Sequence, residues 1–360
     1  MALSKITSIR HLYICKQIHQ QNFAKYKINY SIFNKSNFEI RCKSIRNFRR
    51  SRDGQTTKDN FQQVETPFQG VHVETGPVHY STLIRPLGFT IAFTCASVVA
   101  TSIWQYENLR SRVSNAVRNP VGWIQNKLQY PTHKAIGWRR DLNNWWKNLS
   151  DAEKLFIPIC FLNVLVFGAW RVPQFQPAMV KYFCSNPASR AICWPMFLST
   201  FSHYSFFHLV ANMYVLHSFS SGVISSLGKE EFLALYLTSG VVSSFASYIL
   251  KVGSGQAGLS LGASGAIMGI IGYVCSQYPD TTLSIIFLPF LQFSAGAAIK
   301  GIMAMDLAGI IFGWKFFDHA AHLGGALTGI FWCYFGHQYI WQKRDPIVKY
   351  WHKLRNGELK

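Results

Sequence analysis

The chain has 360 residues, a formal net charge of +20 and 49% apolar residues, and its mean hydropathy of +0.08 averages a polar, basic first part with a very apolar second part. The apolar residues gather in blocks too long for the core elements of a soluble fold, which excludes a purely soluble architecture and implies a membrane protein. No nucleic-acid module accompanies the basic charge, and the eight cysteines lack the paired CxxC spacing of a zinc or disulfide framework, only Cys184 and Cys193 sharing an extramembrane loop.

In chain order, residues 1–58 mix Lys and Arg with Ile, Leu, Phe, Tyr and Ser, and Glu39 is the only acid before Arg52. That is the composition of a mitochondrial transit peptide, with removal expected between Arg41 and Lys58; a secretory signal would need an unbroken apolar run that is absent. A polar segment, 59–85, leads to a first predicted span at Pro86 to Tyr106, uncharged and long enough, at about 1.5 Å per residue, to cross a hydrocarbon core of roughly 30 Å. Residues 107–154 carry Trp123, Trp138, Trp145 and Trp146 among Arg and Lys, the pattern of an amphipathic connector at an interface.

Six more spans are predicted within 155–341, at Leu155 to Trp170, Ser205 to Leu227, Phe232 to Leu250, Gly258 to Tyr278, Ile299 to Gly313 and Ala320 to Trp341. The result is an all-α polytopic protein with one helix followed by six, and a basic tail at 342–360. The run Leu283 to Phe293, interrupted by Pro289, is too short to span and is expected to dip into the interface or pack as a loop. No internal repeat of the kind built into carriers is visible.

Ser264 lies in Gly262-Ala263-Ser264-Gly265 at the start of a span. Small residues are common wherever membrane helices meet, so the fragment alone could be packing. As a nucleophile the serine would gain helix N–H groups and the positive end of the dipole to stabilise an oxyanion. A base is available in the last span, where His322, Gly325 and Gly329 share one face. A matching stripe of Gly265, Gly269 and Gly272 on the serine's helix would let the two helices approach until Ser264 and His322 hydrogen-bond. His208 and Asn212, one turn apart in an apolar run, are either interhelical hydrogen-bonding residues or donors to an oxyanion. His208, Ser264 and His322 all sit near the starts of alternate spans, hence at one membrane face.

Other polar residues read differently. Asp318 is expected to cap the last helix. His319, about 60° around that helix from His322, is expected to be solvated at the interface, and His217 to be structural. Asp306, a carboxylate inside a span, invites a functional role. Counted from the span end nearest the serine and histidine it lies about eight residues, or roughly 12 Å, deep, whereas His322 lies only a turn in; that is too deep to join them, so a protonated or hydrogen-bonded bundle residue is expected. No His-Glu-x-x-His motif exists for zinc, and no second acid stands beside Asp306 for an aspartyl mechanism. No metal or cofactor is implied.

The stretch from Leu155 to Trp341 resembles the rhomboid intramembrane serine proteases through Gly262-x-Ser264-Gly265, His322-x-x-Gly325-x-x-x-Gly329 and His208-x-x-x-Asn212. The extra first span and Phe316-Phe317-Asp318-His319-Ala320-Ala321-His322 make it similar to the mitochondrial, presenilin-associated subfamily. The resemblance implies a Ser264/His322 dyad without a third acid, His208 and Asn212 in the oxyanion hole, and cleavage of single-pass inner-membrane proteins, among them a mitophagy-linked kinase and a dynamin-like fusion GTPase. Bacterial members often carry a tyrosine one turn after the serine, stacked on the histidine; here that position is Met268. A catalytically inactive rhomboid-like chaperone that only binds helices is the alternative, and it should lack Ser264 or His322. With the basic N-terminal segment kept in the matrix, seven spans put the C-terminus in the intermembrane space and open the site toward the matrix.

Overall fold

A backbone inside hydrocarbon must satisfy its own hydrogen bonds, and an α-helix does so within a single segment. The computed structural model describes residues 73–118, 137–255, 258–285 and 288–358; the expected transit segment and Trp123 of the connector lie outside the described residues. The helices are α1 (Ile84–Arg118), α2 (Trp138–Asn148), α3 (Asp151–Ala169), α4 (Gln176–Phe183), α5 (Trp194–Leu198), α6 (Phe206–Leu227), α7 (Lys229–Ser254), α8 (Ser264–Gln277), α9 (Ala295–Phe312), α10 (His319–Phe331) and α11 (Asp345–Arg355). A π-helix, Trp332–Trp341, continues α10.

Among the described residues, four stretches are long and apolar enough to cross a membrane by themselves: Tyr80–Arg118, Asp151–Ala169, Lys229–Ser254 and Ala295–Phe312. With α6 and α8 between them and α10 after the last, the described residues show the expected arrangement of one long helix before the connector and six after it. Local chemistry fixes the ends. Ser150 and Glu153 form a reciprocal capping box at the start of α3. Gly228, with φ of 82°, is the only residue between α6 and α7. Glu230 and Glu231 in the first turn of α7, and Lys251 in its last, complement the helix dipole.

The centre of the bundle is α8, which buries every residue from Gly265 to Cys275 against α7, α10, α6 and α9. Its 14 residues rise only about 21 Å, short of a hydrocarbon core of roughly 30 Å. The helix alone is too short to cross the core, and the chain before it runs non-helically.

Four expectations shift. The span predicted from Gly258 starts at Ser264, because Gly262 takes φ of 128° and holds the chain outside helical geometry. α1 continues past Tyr106 to Arg118. The run Leu283 to Phe293 is not a loop but an antiparallel hairpin, β1 (Thr282–Ile285) with β2 (Leu288–Ser294), pairing Leu283 with Phe293. The basic tail contains α11, which packs on α1: Trp351 Nε1–H donates to Glu107, and Arg344 Nε–H to Gln105.

Candidate active site

Ser264 opens α8, whose N-cap, Ala263, offers no side-chain capping bond. The first N–H groups of any helix have no intrahelical acceptor, so this uncapped end presents donors beside the serine hydroxyl. One turn into α10, His322 Nε2 lies 2.9 Å from Ser264 Oγ. Both residues are partly exposed to a cleft of 1240 Å³ that His208, Asp318 and Phe317 also line. With the hydroxyl donating to Nε2, the imidazole can take its proton as a general base.

The contact is possible because backbones meet. A Cβ on Gly325 would collide with the carbonyl oxygen of Gly265, and one on Gly329 with that of Gly269. The glycines of α8 face two ways: their carbonyls touch α10, whereas a Cβ on Gly265 or Gly269 would strike Ser243 or Ser239 of α7. Three helices, not two, converge on this stripe. Gly262 serves differently. Its positive φ is a conformation that glycine adopts without penalty, and a Cβ there would come within 2.7 Å of the His208 ring.

His208, in the first turn of α6, lines the cleft with Ser264 and His322. Asn212 is buried one turn deeper; its Nδ2 donates to the His208 carbonyl at 3.0 Å and lies 3.1 Å from His203 Nε2. The amide is thus engaged with its neighbours rather than free. His203 went unread in the sequence, because it stands in the loop before α6 where no periodicity marks it. Ala263 N–H also donates to its Nε2, at 3.3 Å, so His203 supports the residue preceding the serine. Burial, reinforced by His208, pushes its pKa down to about 3, which keeps the ring neutral and Nε2 an acceptor.

Asp318 caps α10 as expected, accepting from Ala321 N–H at 3.0 Å. It also accepts from Ser247 and Ser260 and lies 3.5 Å from Lys251 Nζ, tying α7 and the loop before Ser264 to the start of α10. Across the cleft, Thr75, Gly76 and Pro77 form part of the wall. The Glu74 carbonyl and carboxylate, accepting from Asn186 Nδ2 at 2.9 Å and Arg190 N–H at 2.6 Å, hold that segment in place.

Two expectations are corrected. His319 is buried, not solvated, with its Nδ1 2.7 Å from Asp306 Oδ1. Asp306, expected to be too deep, has the same Oδ1 3.4 Å from His322 Nδ1. The depth difference is smaller than the predicted span ends imply, because α9 ends at Phe312. Asp306 lies six residues before the end of α9 and His322 three after the start of α10, a difference of about 4.5 Å that the side chains bridge. Gly309 leaves room for the His319 ring against α9. Met268 replaces the expected tyrosine, and Phe317 lies beside the His322 ring instead, at 5.8 Å between centroids.

A serine at an uncapped helix start, a histidine on its hydroxyl and a water-accessible cleft within a bundle of membrane-length helices define a rhomboid-type architecture. Residues 190–339 match the Rhomboid domain, and the chain belongs to the rhomboid family. It is 51% identical to the human presenilin-associated rhomboid-like protein, mitochondrial, over 286 residues, covering 79% of this chain and 75% of that one. Against the zebrafish presenilin-associated rhomboid-like protein A, mitochondrial, the figure is 47% over 290 residues, 76% of each chain. The yeast rhomboid protein 1, mitochondrial, is 32% identical over 183 residues, 50% of this chain and 53% of its own.

Proposed function

We propose that the chain is an intramembrane serine endopeptidase of the mitochondrial inner membrane, with Ser264 as nucleophile and His322 as general base. The observation that carries this is the 2.9 Å contact between Ser264 Oγ and His322 Nε2 at the N-terminus of α8. The mitochondrial rhomboid relatives support both the class of reaction and the compartment. Its substrates are single-pass transmembrane proteins of that membrane, in line with roles in mitochondrial quality control and dynamics.

A substrate helix unwinds locally at the cleft to expose its scissile carbonyl. Ser264 Oγ bonds to the carbonyl carbon as His322 Nε2 takes the hydroxyl proton. The tetrahedral oxyanion is met by N–H groups at the start of α8 and by His208. His322 then gives the proton to the departing amine nitrogen as the C–N bond breaks, and water from the cleft, deprotonated by His322, hydrolyses the acyl-enzyme. Neither metal nor cofactor takes part. Reaction with a fluorophosphonate tests the reading: Ser264 should become phosphonylated in the wild type and in no site other than Ser264. Wild-type labelling of a folded Ser264→Ala variant would refute it.

A further inference from the structure

We propose that Asp306 is a positioning residue for His322, completing an acid, base and nucleophile line across α9, α10 and α8. The inference rests on the Ser264/His322 reading and departs from a dyad that works without a third acid.

Asp306 is fully buried. A carboxylate in that setting is costly unless something uses it. Its Oδ1 sits between two imidazoles, 2.7 Å from His319 Nδ1 and 3.4 Å from His322 Nδ1, and among the described residues its Oδ2 has no hydrogen-bond partner. The carboxylate therefore has accepting capacity that His319 alone does not fill. On the other side of His322, Nε2 meets Ser264 Oγ. When the hydroxyl donates to Nε2, the ring proton is on Nδ1, 3.4 Å from Asp306 Oδ1, so a carboxylate at this place favours the tautomer that leaves Nε2 able to accept. As the Ser264 proton moves to Nε2, the new positive charge on the ring forms beside a fully buried carboxylate, whose low-polarity surroundings strengthen the attraction. A resting distance of 3.4 Å is compatible with this role, since hydrogen bonds to a catalytic base commonly tighten only when substrate binds. Phe317 lies beside the same ring, at 5.8 Å between centroids. The rival explanation is that Asp306 serves only to lock α9 to α10 through His319.

The test uses full-length protein in proteoliposomes, with a fluorogenic peptide carrying one transmembrane helix as substrate and a fluorophosphonate as a substrate-independent probe. Asp306→Asn is isosteric and can still accept from His319, so thermal unfolding should be nearly unchanged. We expect kcat to fall about tenfold or more with KM within about threefold, and the phosphonylation rate of Ser264 to fall in parallel. His319→Gln removes the competing partner and should lose much less activity. Wild-type kcat and labelling in Asp306→Asn would overturn the proposal, as would a loss in His319→Gln equal to that in Asp306→Asn. Should the asparagine variant fold poorly, His319→Gln decides alone: near-wild-type labelling supports the line to His322, and loss of labelling assigns Asp306 to the helix lock. Ser264→Ala, run alongside, separates the two readings, because activity in that variant would defeat the serine mechanism itself.

Discussion

His208 and Asn212 stand one turn apart in the same helix but are differently employed. His208 faces the cleft beside Ser264, whereas the Asn212 amide is turned toward His203 and the His208 carbonyl. We therefore expect His208→Ala to lower kcat by on the order of 10 to 1,000-fold, as for the loss of one of several oxyanion donors. Asn212→Ala should instead show mainly a lower unfolding temperature, because it leaves a buried His203 acceptor with one donor fewer. Steady-state kinetics beside thermal unfolding would separate the two, and a larger kcat loss in Asn212→Ala than in His208→Ala would contradict the assignment. At this scale the sequence exposed what periodicity and glycine spacing can expose. Ser264 and His322 were found because each sits beside a helical stripe of small residues. Asp306 was seen as anomalous but misplaced, since relative depth depends on how α9 and α10 start and end, and a loop residue such as His203 has no pattern to betray it.

Among the elements, α8 and α10 carry the site, and their separation is set by carbonyls resting where side chains would otherwise be. Gly325→Leu should force the pair apart, abolish cleavage and lower thermal stability, overpacking alone costing typically 1–3 kcal/mol. Normal turnover in a Gly325→Leu variant would mean that this contact does not hold the dyad together. The small-residue stripe was legible as a packing surface; that α7 supplies Ser239 and Ser243 to the same junction was not, because serines scattered in an apolar helix carry no sign of which neighbour they meet. The hairpin of β1 and β2 was missed for a related reason. A short apolar run fits a buried strand, a dipping loop or a helix fragment equally well, and only the pairing partner decides.

For the whole molecule, the chain's alternation brings the starts of α6, α8 and α10 to one membrane face and the end of α1 with α11 to the other. The contacts of Arg344 with Gln105, Trp351 with Glu107 and Asn108 Nδ2 with Glu230 join the first helix to the tail and to α7 at that second face. If the basic N-terminal segment stays in the matrix, as its charge favours, the cleft opens to the matrix and α11 lies in the intermembrane space. A C-terminal tag should then be digested when protease is added to mitoplasts, and a protected tag would reverse the orientation. The order of helices was readable from apolar run lengths, whereas the clamp between α1 and α11 depends on polar pairs more than 200 positions apart, which no local pattern encodes. All of this serves one claim, that Ser264 and His322 act together on a peptide bond. Its most direct test is cleavage of a transmembrane-helix substrate by wild-type, Ser264→Ala, His322→Ala and doubly substituted protein in proteoliposomes. Each single variant should lose essentially all turnover and the double variant should lose no more; comparable cleavage by either folded single variant would contradict the account.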